Sequence, residues 1–287
     1  MAERFIVIGA GTMGAGIGYV AATRGFDVTV VDVDGTAARA ALDRARDWAA
    51  TALARQRIDA DQATAVDQRM TAVTNVSELA PDPAVIVEAV PERVELKRSV
   101  LRDAEQLTPQ LLGSNTSSIS IDSLAADLDR PERFCGLHFF NPVYAMSLLE
   151  VVTGSATSPA TLDAAMTLAA RLGKEAITVH DAPGFATSRL GNALGLEAMR
   201  MVESGVASAA DIDKAMVLGY RHPMGPLELS DVVGLDVRLD ICRTLAAAYG
   251  ERFAPPPLLV DMVADGKLGK KTGEGFYRWS DGKKVAP

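Results

Sequence analysis

Apolar and polar positions follow two different rhythms along the chain. Phe5-Ile6-Val7-Ile8 is a short apolar run ending in glycines, and a helix of small residues is predicted over about 12–24. Gly25-Phe26-Asp27 then turns the chain into a second apolar run, Val28-Thr29-Val30-Val31, which stops at Asp32. Strand, helix, strand with so short a return is the unit that demands a parallel sheet. An Ala/Arg/Asp-rich helical stretch follows over about 36–57, with a second helical piece to about 68 and a turn-rich segment over 75–83. Further strands are predicted over 85–90, 111–115, 134–138, 147–152 and 175–180, with helices over about 92–106 and 161–173. The pattern predicts an α/β fold, a Rossmann-like doubly wound parallel sheet, closing near Asp181.

From Pro183-Gly184-Phe185 onward the period is helical: about 187–205, 208–218, 226–249 and 257–265, with strand-like alternation returning only at Gly275-Phe276-Tyr277. The expected organisation is a nucleotide-binding domain over 1–182 and a smaller all-helical C-terminal domain over 183–287.

Composition changes this picture little. Hydrophobic residues make up 48% and charged residues 23% of the 287 residues, which is ordinary for a globular protein. The net charge of −8, without a basic block, argues against nucleic acid as a partner. No apolar run approaches the roughly 20 residues needed to cross a bilayer, so no membrane role is expected. Met1-Ala2-Glu3-Arg4 leads straight into the first strand, and a cytoplasmic protein without a signal peptide, or one of an organelle matrix, is expected. Cys135 and Cys242 are the only cysteines and are expected to be reduced, buried thiols.

Chemistry enters first at Gly9-Ala10-Gly11-Thr12-Met13-Gly14. A lone GxGxxG is weak, but this one follows an apolar strand, opens a helix, and is followed by an acidic residue, Asp32, at the end of the next strand. Gly9 permits the tight turn, Gly11 lets the backbone approach a pyrophosphate, and Gly14 lets the helix pack on the strand. Asp32 is placed to accept hydrogen bonds from the adenosine ribose. A 2′-phosphate would meet that carboxylate and Asp34, with no cation nearer than Arg39, so NAD is expected rather than NADP.

A second constellation is His138-Phe139-Phe140-Asn141-Pro142, with Glu150 further along. Oxidising an alcohol needs a base for the hydroxyl proton, and histidine serves in both directions near neutrality. His138 falls at the C-terminal end of a strand, where open α/β sheets bind ligands, and Glu150 can orient and stabilise the ring from a neighbouring strand. His180 and His222, the other two histidines, read as structural or solvated. No HxxH or CxxC spacing supports a metal site. Arg44, Arg46, Arg55 and Arg57 can be read either as phosphate contacts or as a solvated helix face paired with Asp43 and Asp47.

With these blocks, Glu88-Ala89-Val90-Pro91-Glu92, Ser114-Asn115-Thr116-Ser117-Ser118, Asp181 to Phe185, Pro223-Met224-Gly225-Pro226 and Gly269 to Tyr277, the chain resembles the 3-hydroxyacyl-CoA dehydrogenases, in order and over nearly its whole length. The resemblance implies NAD-dependent oxidation of an L-3-hydroxyacyl-CoA to the 3-ketoacyl-CoA, in fatty acid metabolism. It implies His138 as the base, Glu150 as its partner, and Ser117 against the substrate oxygen. Thr12, Met13, Glu92, Lys97, Asn115 and Lys271 are implied on the cofactor side, and Asn141 and Ser188 on the substrate side. It also implies a homodimer formed through the helical domain, with the active site in the cleft between domains. Two positions depart from the family's pattern. The usual substrate-binding asparagine is replaced by Ser188, and a common lysine by Ser147. Both bear on the acyl group and on CoA dependence, and leave open a free hydroxy acid on the same fold, or a non-catalytic NAD-binding protein.

Overall fold

Residues 2–285 are described by the structure, a computed structural model, and the chain divides into two units after Ala182. In the first unit β1 (Arg4–Ile8) forms where consecutive apolar residues lose all but a trace of their surface. It is followed by α1 (Thr12–Thr23), β2 (Asp27–Val31), α2 (Gly35–Ala54), α3 (Ala60–Arg69) and β3 (Met70–Val73). Then come β4 (Val85–Glu88), α4 (Val94–Glu105), β5 (Leu111–Ser114), α5 (Ile121–Ala125), β6 (Phe134–Phe139), β7 (Leu148–Thr153), α6 (Pro159–Arg171) and β8 (Glu175–His180).

Among the described residues these strands make one eight-stranded sheet in the order β3-β2-β1-β4-β5-β6-β7-β8. The chain moves outward from β1 to β2 and β3, then crosses back to β4 on the other side of β1. That reversal opens a crevice at the C-terminal ends of β1 and β4, where ligands of open α/β sheets bind. All neighbours run parallel except β6 and β7, which pair antiparallel with His138 opposite Glu150. The core under the sheet is Phe5, Val7, Ile17, Val28, Val30, Val87, Leu137, Leu149 and their neighbours. Phe5 and Phe26 meet edge to face at 5.4 Å. Each such buried apolar side chain contributes about 1.5–3 kcal/mol by leaving water.

Two features of this unit differ from the sequence reading. The strand β3 falls between the helical piece expected to about 68 and the turn-rich segment from 75, where no element was expected; it is an edge strand in which Met70 alone is buried, so its apolar signal is faint. The parallel sheet also carries an antiparallel joint, because the connection between β6 and β7 is too short for a crossover.

The second unit comprises α7 (Thr187–Glu203), α8 (Ala209–Tyr220), α9 (Pro226–Val233), α10 (Leu235–Tyr249) and α11 (Pro257–Ala264), closed by a hairpin of β9 (Trp279–Ser280) and β10 (Lys283–Lys284). The single helix expected over 226–249 is broken at Gly234, whose φ of +104° lies outside the helical region. Leu196, Met199, Leu227, Leu235, Leu239, Cys242, Leu245 and Leu259 form its core.

Two buried carboxylates organise this unit. Asp213 of α8 accepts hydrogen bonds from the Leu227 and Glu228 amides at 2.8 Å, placing a negative charge on the N-terminus of α9. Asp231 of α9 accepts from the Phe276 and Tyr277 amides at 2.9 Å and from Trp279 Nε1 at 3.0 Å, which ties down the C-terminal strap. Burial outweighs these donors and raises the Asp231 carboxyl above its ordinary value. Among the described residues, no helix is long and apolar enough to cross a membrane.

Candidate functional site

The nucleotide loop is built from the backbone outward. Gly9 has φ of +110°, and a side chain there would reach within 2.6 Å of the Ala89 carbonyl oxygen, since the loops after β1 and β4 touch at this point. A methyl group at Gly14 would overlap the Gly9 carbonyl oxygen, so helix and strand can approach only with glycine there. Around Gly11, by contrast, nothing lies within 4 Å of where a side chain would sit. No side chain caps the start of α1, and its first-turn amides, those of Thr12 and Met13 included, belong to the part of a helix that binds anions. An open approach over glycine onto an uncapped helix start fits a pyrophosphate. Asp32 stands beside it at the end of β2, its Oδ2 accepting from the Ala10 amide at 2.8 Å and its Oδ1 from the Asp34 amide at 3.0 Å. The residues present therefore fit a dinucleotide with an unphosphorylated ribose.

Arg44 of α2 donates from Nη2 to the Ala10 carbonyl at 2.6 Å and so braces the same loop. Arg46 pairs with Asp43 at 3.0 Å and Asp67 at 2.8 Å on an exposed helix face.

Beyond β4, one buried network fixes the loops that flank the crevice. Glu88 accepts from the Val90 amide, from Lys97 Nζ at 2.7 Å, and from Ser114 Oγ at 2.5 Å. Lys97 is only 1% exposed and also meets Glu92 Oε2 at 3.2 Å and the Val90 carbonyl. The other oxygen of Glu92 gathers the loop after β5, accepting from Thr116 Oγ1 at 2.6 Å, the Ser117 amide at 2.9 Å and the Ser118 amide at 3.2 Å. Burial works to raise the Glu92 carboxyl, but Lys97 and these donors outweigh it and hold the group below the usual carboxylate range. Ser117 is thus presented on a loop held by a carboxylate anchored to a buried lysine. Sequence reasoning missed Glu88 and Thr116 as parts of this anchor. The signal was present as two glutamates around the β4 end with a lysine one helical turn further on.

His138 and Glu150 come together across the antiparallel joint. Directly opposed residues share a face of the sheet, so register alone makes their side chains neighbours. His138 Nδ1 lies 2.6 Å from Glu150 Oε2. Glu150 is fully buried and His138 is 6% exposed, with its ring 4.4 Å from the Phe140 ring. When Nδ1 donates to the carboxylate, Nε2 is the basic nitrogen. Asn115 Oδ1 accepts from the Phe139 amide at 2.9 Å, fastening the end of β5 to the residue after His138. Asn141 follows on an exposed turn, joined to Pro142 by a cis peptide bond.

The other two predicted residues lie in the helical unit. Ser188 is in the first turn of α7, its carbonyl accepting from Asn192 Nδ2 at 2.7 Å. Lys271 is exposed, its Nζ paired with Asp236 Oδ2 at 2.5 Å. Both cysteines are buried free thiols whose pKa burial pushes up, to about 12 for Cys135 and about 11 for Cys242. Among the described residues, no group of three or more His, Cys, Asp or Glu side chains forms a metal cage.

Residues 4–182 match the family model for the NAD binding domain of 3-hydroxyacyl-CoA dehydrogenase, and residues 184–279 match the model for its C-terminal domain. The chain is 40% identical over 282 residues to a 3-hydroxybutyryl-CoA dehydrogenase of Bradyrhizobium diazoefficiens, covering 97% of this chain and 96% of that protein. It is 39% identical over 282 residues to a probable 3-hydroxybutyryl-CoA dehydrogenase of Bacillus subtilis, covering 97% and 98% respectively. Its structure matches that of (S)-3-hydroxybutyryl-CoA dehydrogenase from Ralstonia eutropha with a TM-score of 0.92 at 35% identity, over 98% of this chain and 100% of that one.

Proposed function

The chain belongs to the 3-hydroxyacyl-CoA dehydrogenase family, NAD-dependent oxidoreductases, and on that premise we propose that it interconverts an L-3-hydroxyacyl-CoA and the corresponding 3-ketoacyl-CoA. The observation that carries this reading is the 2.6 Å pair of His138 Nδ1 and Glu150 Oε2 at the ligand-binding edge of a dinucleotide fold. In the oxidative direction His138 Nε2 takes the proton of the C3 hydroxyl. Glu150, buried and acceptor-only, holds the ring in the tautomer that exposes a basic nitrogen and stabilises the imidazolium that results. Bound NAD supplies the hydride acceptor in this direction and, as NADH, the donor in reverse. In the reductive direction His138 returns its proton to the oxygen at C3.

Ser117, held on the loop that Glu92 gathers, donates its hydroxyl to the same substrate oxygen. Glu92 and Lys97 serve the cofactor side by fixing that loop, and Asn115 does so by fixing the end of β5 beside it. Thr12 and Met13 meet the pyrophosphate through their amides, and Asn141 and Ser188 contact the substrate. Lys271 joins the cofactor side from the C-terminal strap, released from or sharing its bond to Asp236. A cytoplasmic homodimer associating through the helical unit completes the reading. What supports self-association is apolar surface there, with Leu190, Leu218 and Tyr220 each more than 60% exposed.

Offering the two enantiomers of 3-hydroxybutyryl-CoA separately with NAD tests the proposal. NADH formation from the L form, with none above background from the D form, is the expected result. Turnover of the D form alone, or of neither, would overturn it.

A further inference from the structure

The cofactor has a direction across the sheet. Asp32, at the end of β2, marks the ribose of the adenosine half, and the uncapped start of α1 follows β1. In the strand order β2-β1-β4-β5, a dinucleotide that spans the crevice from that ribose lays its nicotinamide half over the ends of β4 and β5. Three charged side chains meet on that side: Glu88, the last residue of β4, Glu92 just beyond it, and Lys97 of α4.

Their charges do not balance. Lys97 Nζ meets Glu88 Oε1 at 2.7 Å and Glu92 Oε2 at 3.2 Å, so one ammonium serves two carboxylates and the cluster keeps an excess negative charge. Glu88 is fully buried, and its partners, the Val90 amide, Lys97 Nζ and Ser114 Oγ, can all donate to an ionised carboxylate. Glu92 is 36% exposed at its side chain, and Lys97, Thr116 and the Ser117 amide hold its carboxyl below the usual range against the effect of burial. Arg93, the neighbour of Glu92 in sequence, is exposed and pairs with no carboxylate among the described residues, so water screens its charge. An excess charge under a fold is unfavourable, and hydrogen bonding alone does not call for it here. A glutamine at position 88 could accept from Val90 and Lys97 and donate to Ser114.

We propose that Glu88 tunes the redox balance of the bound cofactor, the excess negative charge of the Glu88–Lys97–Glu92 cluster favouring the oxidised nicotinamide, which is cationic, over the reduced one, which is neutral. The inference rests on the NAD-binding reading above and involves no acyl substrate. Glu88 acts at a distance, through its charge rather than by contact. By stabilising the form that remains once a hydride has left, it makes the bound couple more reducing than a neutral cluster would, and so favours reduction of a ketone on the enzyme. Since Glu88 and Lys97 are both buried, salt screens this effect little.

Equilibrium binding to the full-length protein without substrate tests the proposal, with NADH followed by its fluorescence and oxidised NAD by its displacement of NADH. A unit charge acting over about 10–15 Å at an effective dielectric near 20 changes an equilibrium about fivefold to twentyfold. Glu88→Gln is therefore expected to raise Kd for oxidised NAD by about that factor more than Kd for NADH. A tenfold change in the ratio corresponds to about 30 mV in the potential of the bound couple. Glu88→Asp, which keeps the charge, should leave the ratio of the two constants near wild type even where both affinities fall. Glu95→Gln removes an equal charge from the same helix at a side chain 88% exposed, and the ratio should not move.

Equal weakening of both forms by Glu88→Gln would mean that Glu88 only shapes the loop, and overturns the proposal. So does a larger loss of NADH, or a shift of the same size in Glu95→Gln. If Glu88→Gln does not fold, Glu92→Gln removes one charge at the other end of the cluster. Preferential loss of oxidised NAD is then expected, and equal loss overturns the proposal. Wild-type protein that binds neither form would overturn the NAD-binding reading, and this proposal with it.

Discussion

Replacing His138 by alanine is expected to lower kcat by ~10²–10⁴-fold, the range that a positioned general acid–base group supplies, while NADH affinity stays near wild type. The separation follows from position. The imidazole stands at the end of β6, paired at 2.6 Å with Glu150 on β7, whereas the glycine loop and Asp32 lie at the ends of β1 and β2. Alanine also leaves the fully buried Glu150 carboxylate without the ring it faces, and breaking a buried pair from one side costs about 3–5 kcal/mol. His138→Asn is therefore the companion variant, since its amide can still donate to Glu150 but cannot carry a proton between substrate and solvent. Both variants should be comparably slow, and the asparagine variant should melt closer to wild type. Steady-state kinetics with NADH binding followed by fluorescence reads this out. Turnover within tenfold of wild type in a folded variant would remove His138 as the base.

Gly14→Ala is expected to disable the cofactor site by a different route. The added methyl would overlap the Gly9 carbonyl oxygen and press on Val7, both part of the seam between β1 and α1. Neither is a flexible chain end, so the helix must lift from the strand. Overpacking of this kind costs about 1–3 kcal/mol, which for a unit of this size lowers Tm by roughly 5 °C. Lifting the helix also turns its first-turn amides away from the pyrophosphate, and NADH affinity should fall by two orders of magnitude or more, about 2.8 kcal/mol. Gly11→Ala is the control. Its methyl meets no protein atom within 4 Å, so Tm should hold while NADH binding weakens, because the methyl projects into the open approach. A melting curve and an NADH titration for each variant decide the matter, and a Gly14→Ala protein that binds NADH like wild type would contradict the packing argument.

Local rhythm carried the sequence reading furthest where structure is local. The run Phe5–Ile8, the glycines and Asp32 define a strand, a turn and an acid within one unit of chain, and they sit together in the fold. Features set by partners distant in sequence were harder to read. Strand β3 is defined by pairing with β2, and its own four residues bury only Met70. The break at Gly234 depends on a single backbone angle inside an otherwise continuous helical pattern. The opposition of His138 and Glu150 was legible as two residue types near strand ends, but the antiparallel register that brings them to 2.6 Å was not. Glu88 looked like a strand end, and Lys97 lay in a charged helix with a cofactor-side role implied only by the resemblance; the fold shows that both are buried and joined to the Ser117 loop through Glu92.

The central claim is that this chain moves a proton and a hydride on the C3 oxygen function of a CoA thioester, using NAD. The most direct measurement follows NADH consumption with acetoacetyl-CoA, with free acetoacetate and NADPH run in parallel. Rapid reduction of the thioester by NADH is predicted, with the free acid and NADPH each far slower. Reduction of free acetoacetate as fast as the thioester, or no turnover of the thioester by an enzyme that binds NADH, would contradict the account.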